Sequence, residues 1–234
     1  MILRSVLSVA AMCPALVLPV SAPAFAEARI GVAAIVTNDV AQLLGQKAAP
    51  IAGGEAVVRD EIVRTGEASN PRLVFTDDTN LAVGPASTVK LDRFVFADAA
   101  SYDQAGLELA KGAFRFTTGH SEKKAYDIRT PVATIGVRGT VLDVLSQGGK
   151  TTVVLQEGAA SVCTRRKGHA VSRARGCVDL LNPGDTAVVT AGGAARSPPG
   201  WNFAGNCAGG LCNVTTFAAL AQPAVFTDAA LCGR

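Results

Sequence analysis

Thr140-Val141-Leu142-Asp143-Val144-Leu145-Ser146-Gln147-Gly148-Gly149-Lys150-Thr151-Thr152-Val153-Val154-Leu155 holds two short apolar runs on either side of a turn signal. Runs of about five or six residues, rich in Val, Leu and Thr and bounded by Gly, read as strands, because helices need roughly ten residues or more. The same rhythm continues in both directions. Glu157-Gly158 leads into Ala159–Cys163, then come Cys177–Leu181, the turn Pro183-Gly184-Asp185 and Thr186–Thr190. Upstream lie Arg29–Val36, Leu73–Phe75, Leu81–Val83, Thr88–Leu91, Leu107–Leu109, Phe114–Thr117, Tyr126–Ile128 and Val132–Ile135. Leu107 alternates with Leu109, Phe114 with Phe116 and Tyr126 with Ile128, a period of two that sets each pair on one sheet face. Asp77-Asp78-Thr79-Asn80 and Gly84-Pro85 supply further turns. Turn signals roughly every 8–12 residues predict an all-β chain. The phase slips between Leu91 and Phe94, so a bulge or bend is expected at Asp92-Arg93. Helix signal is weak. Asp39 offers a cap for Val40–Ala48, which reads equally as loop, and Val214–Ala221 is a second short candidate. The expected fold is a single all-β domain of many short strands, a sandwich or a solenoid-like roll.

Composition supports one domain. The 234 residues are 49% apolar, enough for a core of one domain and short for two. Only 5% are aromatic, so Val, Ile, Leu and Ala carry the core, and 24 glycines with 11 prolines suit turns. A formal net charge of +3 gives no bulk field for nucleic acid. Coiled coil, collagen, a disordered tail and a polytopic membrane protein are excluded. The strand-like runs are also shorter than the ~9–11 residues of an outer-membrane barrel strand.

The first segment reads as an address. Residues 1–4 carry one positive charge, residues 6–20 are apolar or small, and Ala24-Phe25-Ala26 has the small-x-small pattern of a signal-peptidase site. The apolar run is short of the ~20 residues of a spanning helix, and Met12 before Cys13 argues against a lipoprotein. A signal peptide over 1–26, cleaved after Ala26, is expected, with a retained anchor as the alternative. The mature chain then has no transmembrane span and lies in the periplasm or outside the cell. Its body runs over 27–191, and a Gly/Pro/Cys-rich tail over 192–234. Export implies an oxidising compartment, where disulfides persist.

No catalytic motif stands up. There is no G-x-S-x-G elbow, no phosphate-binding loop and no H-E-x-x-H. His120 and His169 read as exposed loop residues. The acid pairs Asp60-Glu61 and Asp77-Asp78 read as solvated, with a calcium role for Asp77, Asp78 and Asn80 as the minor alternative. No catalytic residue, metal site or cofactor is expected. Cys207 and Cys212 read as a disulfide rather than half a zinc site.

The charge pattern is more informative in one place. Residues 164–176 contain Arg165, Arg166, Lys167, Arg173 and Arg175 and no acid. Cys163 and Cys177, each at the end of a strand-like run, flank this stretch and are expected to form a disulfide that closes a basic hairpin. The bland reading is a soluble loop. The sharper one is anion recognition, for phosphate groups, acidic glycans or an acidic partner face. Nucleic acid is not expected, since no aromatic residue is interleaved. In the tail, a Cys207–Cys212 pair leaves Cys232 as an odd thiol, free or linking two chains into a dimer, with Cys212–Cys232 as the rival pairing.

Residues 55–162 resemble the FecR-domain family. The match rests on Glu61-Ile62-Val63-Arg64-Thr65-Gly66, on Leu73 through Pro85, on Leu91-Asp92-Arg93-Phe94-Val95-Phe96 and on Gly112 through Gly119. The most specific piece is Ile128-Arg129-Thr130-Pro131-Val132-Ala133-Thr134-Ile135-Gly136-Val137-Arg138-Gly139-Thr140. The resemblance implies an extracytoplasmic all-β module without enzymatic activity. In iron-signalling members such a module follows a cytoplasmic anti-sigma region and a membrane span, a layout that a cleaved 26-residue leader does not provide. Thr134, Gly136, Arg138, Gly139 and Thr140 are expected to be structural, as are Gly84, Gly112 and Gly119, with the glycines allowing turns or close backbone approach. Arg138 is expected to be paired with an acid such as Asp143 or with carbonyls, and partner contact is its alternative role. The expected function is a non-catalytic sensing or interaction module of the cell envelope that binds an unidentified protein or anionic component. The alternative is a structural envelope or surface-exposed protein.

Overall fold

Fifteen strands share one hydrogen-bonded sheet in the computed structural model, which describes residues 28–165 and 176–206. In chain order they are β1 (Arg29–Thr37), β2 (Val40–Leu44), β3 (Lys47–Pro50), β4 (Ala56–Val58), β5 (Ile62–Thr65), β6 (Asn70–Phe75), β7 (Asn80–Val83) and β8 (Thr88–Phe96). Then follow β9 (Tyr102–Thr117), β10 (Tyr126–Arg129), β11 (Ala133–Gln147), β12 (Lys150–Thr164), β13 (Cys177–Leu180), β14 (Thr186–Thr190) and β15 (Gly193–Ser197). A short 3-10 turn, Lys123–Ala125, precedes β10. The main path runs β15-β14-β12-β11-β10-β9-β7-β6-β1-β4, and the β9–β10 pair is parallel while the other pairs are antiparallel.

The three long strands make one sheet behave as two layers, because each changes partners along its length. The first part of β9 pairs with β8 and β10, and its last residues pair with β7 and β11. Strand β12 pairs with β14 over Thr151–Val154 and with β13 over Ala160–Cys163. The sheet therefore folds over itself. Phe75 of β6 meets Phe94 of β8 with ring centroids 5.2 Å apart, although these strands are not neighbours in the sheet. The Tyr102 hydroxyl donates to the Ile30 carbonyl at 2.6 Å, tying β9 to β1. Between the layers lies one apolar core that includes Leu73, Leu81, Leu91, Phe114, Ile128, Ile135, Val144 and Val162.

The all-β reading holds, and so does the expected phase slip. The β8–β9 register shifts between Asp92 and Phe94, and Arg93 takes a φ of 46°. Two more slips had no such marker in the sequence reading. One is at Gly112 (φ 94°) within β9, so Leu107–Leu109 and Phe114–Thr117 belong to one strand that changes phase. The other is at Gly139 (φ 56°), within β11. An extra residue switches which positions face the core. In β11 the core-facing set moves from Ala133, Ile135 and Val137 to Leu142 and Val144.

Two expectations need correction. Val40–Ala48 is neither helix nor loop: β2 and β3 form a hairpin that turns through Gly45 at φ 58°. The composition change at Gly192 does not end the sheet, since β15 pairs with β14 and Phe203 is fully buried. The signal peptide over 1–26, the Val214–Ala221 candidate and Cys207, Cys212 and Cys232 lie outside the described residues. So do Arg166, Lys167, Arg173, Arg175 and His169.

Candidate functional site

The most specific sequence segment, Ile128 to Thr140, ends β10 and begins β11, and alternation divides its β11 part cleanly. Ala133, Ile135 and Val137 are buried, and Thr134, Gly136 and Arg138 lie on the opposite face. The register carries that face across two more strands. Gly136 stands opposite Ser161 of β12, and Ser161 opposite Asp179 of β13. Arg138 stands opposite Ala159. The 3-10 turn places Lys123 and Lys124 along one side of the same face, and Leu181 follows β13 at the other. Together these residues line an open groove of about 950 Å³.

The bulge at Gly139 shapes one end of this groove. Its positive φ is natural for glycine, and a Cβ on Gly158, across from it, would lie 1.9 Å from the Gly139 carbonyl oxygen. Thr140 staples the bulge. Its hydroxyl accepts from the Arg138 N–H at 2.8 Å and donates to the Ala159 carbonyl at 2.8 Å, and its N–H donates to the Thr118 hydroxyl at 2.8 Å. Gly139 and Thr140 thus hold the bulge in place. Gly136 meets no such requirement. Its φ is outside the left-handed region, and a Cβ there would meet nothing within 4 Å.

Arg138 also departs from expectation. It is exposed, and among the described residues its guanidinium has no ion pair or hydrogen bond. Asp143 is fully buried and belongs to Arg115, which donates from Nε at 2.5 Å and from Nη2 at 2.8 Å. Register explains the difference: Asp143 stands directly opposite Arg115 of β9, whereas Arg138, before the bulge, stands opposite Ala159 of β12. Asp143 also accepts from Gln156 Nε2 at 2.9 Å and from the Phe203 N–H at 3.2 Å. Arg115 lies over the Phe203 ring, 5.8 Å from its centroid. Phe203 packs on Ala82 and Ala113, with Leu145 and Trp201 beside them. This covers the outer face of β7, β9 and β11 beyond the bulge, while the Gly136 end stays open.

The groove's basic side is weakly compensated. Lys124 Nζ is 3.0 Å from Glu122, and that hydrogen bond raises its ammonium above the usual value. Lys123 is exposed with no ion pair among the described residues, and its Cε would lie 3.9 Å from a Cβ on Gly139. Asp179 is the acid lining the groove.

The Cys163–Cys177 disulfide forms as expected, between residues directly opposite in the β12–β13 ladder. It closes the base of the basic stretch next to the groove. Arg165 is held there. Its Nη1 donates to Glu108 at 2.9 Å and to the Thr130 carbonyl at 3.0 Å, and its N–H donates to the Val132 carbonyl at 2.7 Å. This cation anchors the loop base to the β10–β11 turn, unlike the free anion contact expected for it.

The acid pairs are split by the fold. Asp78 and Asp60 are exposed at positive φ, but Asp77 and Glu61 are buried, against the solvated reading. Asp77 accepts from Ser121 Oγ at 2.7 Å, the Tyr126 hydroxyl at 2.6 Å and the Thr79 N–H at 3.0 Å. These bonds use its oxygens in a structural knot that also joins β7, β9 and β10. Among the described residues, no three His, Cys, Asp or Glu side chains cluster as metal ligands, and no helix is long and apolar enough to cross a membrane.

Residues 61–161, which build most of this sheet and two walls of the groove, match the family model described as FecR protein. This stretch is similar to that family. Two crystal structures of a protein from Parabacteroides distasonis ATCC 8503, described as a "putative anti-sigma factor", align with TM-scores of 0.46 at 17% and 16% identity. Each alignment covers 58% of this chain and 59% of that one. No curated protein matches.

Proposed function

We propose that this protein is an exported, non-catalytic sensing or interaction module of the cell envelope that recognises an anionic partner. The observation carrying this reading is the FecR match over 61–161, whose most specific segment, Ile128 to Thr140, contains Arg138, a residue lining an open basic groove. The FecR family is regulatory rather than enzymatic, which supports a role in binding. Residues with a purely structural job are expected to be buried or bonded, yet Arg138 and Lys123 keep their charges in water. Between Cys163 and Cys177, which a disulfide joins, the sequence carries Arg166, Lys167, Arg173 and Arg175, further cations for an anionic partner. The sheet of this module continues through β15, past the composition change at Gly192.

The leader over 1–26 supports placing the module in the periplasm or outside the cell. Two measurements test the proposal. Intact-mass analysis of the exported protein is expected to show a chain starting at Glu27, and a retained Met1 overturns the localisation. Crosslinking in intact cells, followed by mass spectrometry, is expected to join the protein to a specific envelope component at peptides containing Arg138 or residues 164–176. Crosslinks only between copies of this chain would favour a structural role.

A further inference from the structure

We infer that the groove between the 3-10 turn, β11, β12 and β13 is a docking site for an extended acidic peptide segment of a partner protein, with Gly136 as its seat. This rests on the partner-binding reading above and names the chemistry of the occupant. Three features select it. First, charge: Lys123, Lys124 and Arg138 flank one side, two of them unpaired among the described residues, so the complementary occupant carries carboxylates. Second, shape: the floor is an ordered sheet face of small side chains, Gly136, Ala159 and Ser161. Neighbouring strands lie ~4.8 Å apart, so β11 to β13 gives a floor roughly 10 Å wide, suited to one extended chain. Small side chains let its backbone approach closely. Third, an apolar contact: Leu181, 62% exposed, stands at the margin and gives such a segment a place for one apolar side chain.

Gly136 separates docking from scaffolding. A glycine inside a strand weakens it, because it packs no side chain and loses more chain entropy on folding. Here no positive φ and no close backbone requires it. A vacant floor explains its presence where local stability does not. Gly136→Val therefore gives two opposite signals: the strand gains a β-branched residue with room to fit, and the groove loses its seat.

The test uses the full chain and a fluorescein-labelled ten-residue peptide of alternating Glu and Val, with a Lys–Val peptide as control. Fluorescence anisotropy is expected to show binding of the Glu–Val peptide that weakens with added salt, and at least about tenfold weaker binding of the Lys–Val peptide. Gly136→Val is expected to lower affinity about tenfold or more while its melting midpoint stays level or rises. Arg138→Glu with Lys123→Glu is expected to abolish binding, also without thermal loss. Ser at Arg166, Lys167, Arg173 and Arg175 together is expected to change affinity by less than about threefold. Full affinity in Gly136→Val, or displacement by equimolar inorganic phosphate, overturns the inference. Loss of binding only in the four-Ser variant also overturns it, while leaving an anionic partner on the basic stretch intact. Crosslinking to an envelope partner without any preference for the Glu–Val peptide refutes the acidic segment alone.

Discussion

Asp143→Ala tests how the outer face beyond the bulge is held. The carboxylate is fully buried, and the Arg115 side chain that it pairs with is 12% exposed. Removing one partner of a buried pair typically costs about 3–5 kcal/mol, because the remaining charge is left uncompensated. Two neutral donors, Gln156 Nε2 and the Phe203 N–H, lose their acceptor as well. For a domain of this size, ~1 kcal/mol corresponds to about 2–4 °C, so the melting midpoint should fall by roughly 6–20 °C. Urea denaturation gives the free energy directly. Hydrogen exchange adds a local signature: the Phe203 N–H should exchange much faster relative to N–H groups in β6 and β11. The paired variant Arg115→Met with Asp143→Leu removes both charges and should recover most of the loss, since an apolar replacement of a buried pair is often near neutral. A cost below about 1 kcal/mol for Asp143→Ala, or a paired variant no better than the single one, refutes this account of the buried pair.

Other consequences follow from the same geometry. Arg138→Ala should leave stability within about 0.5 kcal/mol of wild type in thermal melts, because the guanidinium is exposed and unpaired among the described residues; a large loss would restore the structural role expected from sequence. Changing both Cys163 and Cys177 to Ser should cost about 3 kcal/mol in the chain-entropy model for a loop of this length, read from denaturant curves under non-reducing conditions. Burial, then the hydrogen bond to Asp77, pushes the Tyr126 hydroxyl up to about 12. The folded value thus lies above the ordinary tyrosine value near 10. The folded state keeps this proton longer than the unfolded chain, so the contribution is complete below about pH 10 and is lost as pH rises towards 12. Stability measured across that window should fall in the wild type and fall less in Tyr126→Phe. Gly158→Ala should destabilise strongly, since its Cβ would strike the Gly139 carbonyl oxygen, and circular dichroism melts will report it.

Short apolar runs and turn residues were enough to reveal an all-β chain, since period two and chain punctuation are local properties. The Asp92-Arg93 slip was legible for the same reason: its two sides carry Leu91 and Phe94 in conflicting phase. The Cys163–Cys177 bond followed from two strand ends facing each other. The hairpin over Val40–Pro50 was hidden because, Val40 apart, its strands are exposed or half-buried and show no alternation. The continuation past Gly192 was hidden because Gly193–Ser197 joins the sheet by backbone hydrogen bonds, which composition does not record.

The candidate site divides along the same line. The sequence by itself determined which residues are unusual: the Thr134–Thr140 segment, the cationic stretch and the cysteine pair. Only the tertiary structure decided their partners. Arg138 was expected to meet Asp143 because the two are close in sequence, but Arg115 of β9 stands directly across the ladder from Asp143 and takes the acid, while Arg138 faces Ala159 of β12. Lys123 and Lys124 drew no notice, because nothing local connects a lysine before β10 with Gly136 of β11 or Asp179 of β13. Their meeting depends on strand register across three ladders, and register is set by long-range burial and bulges rather than by any one segment.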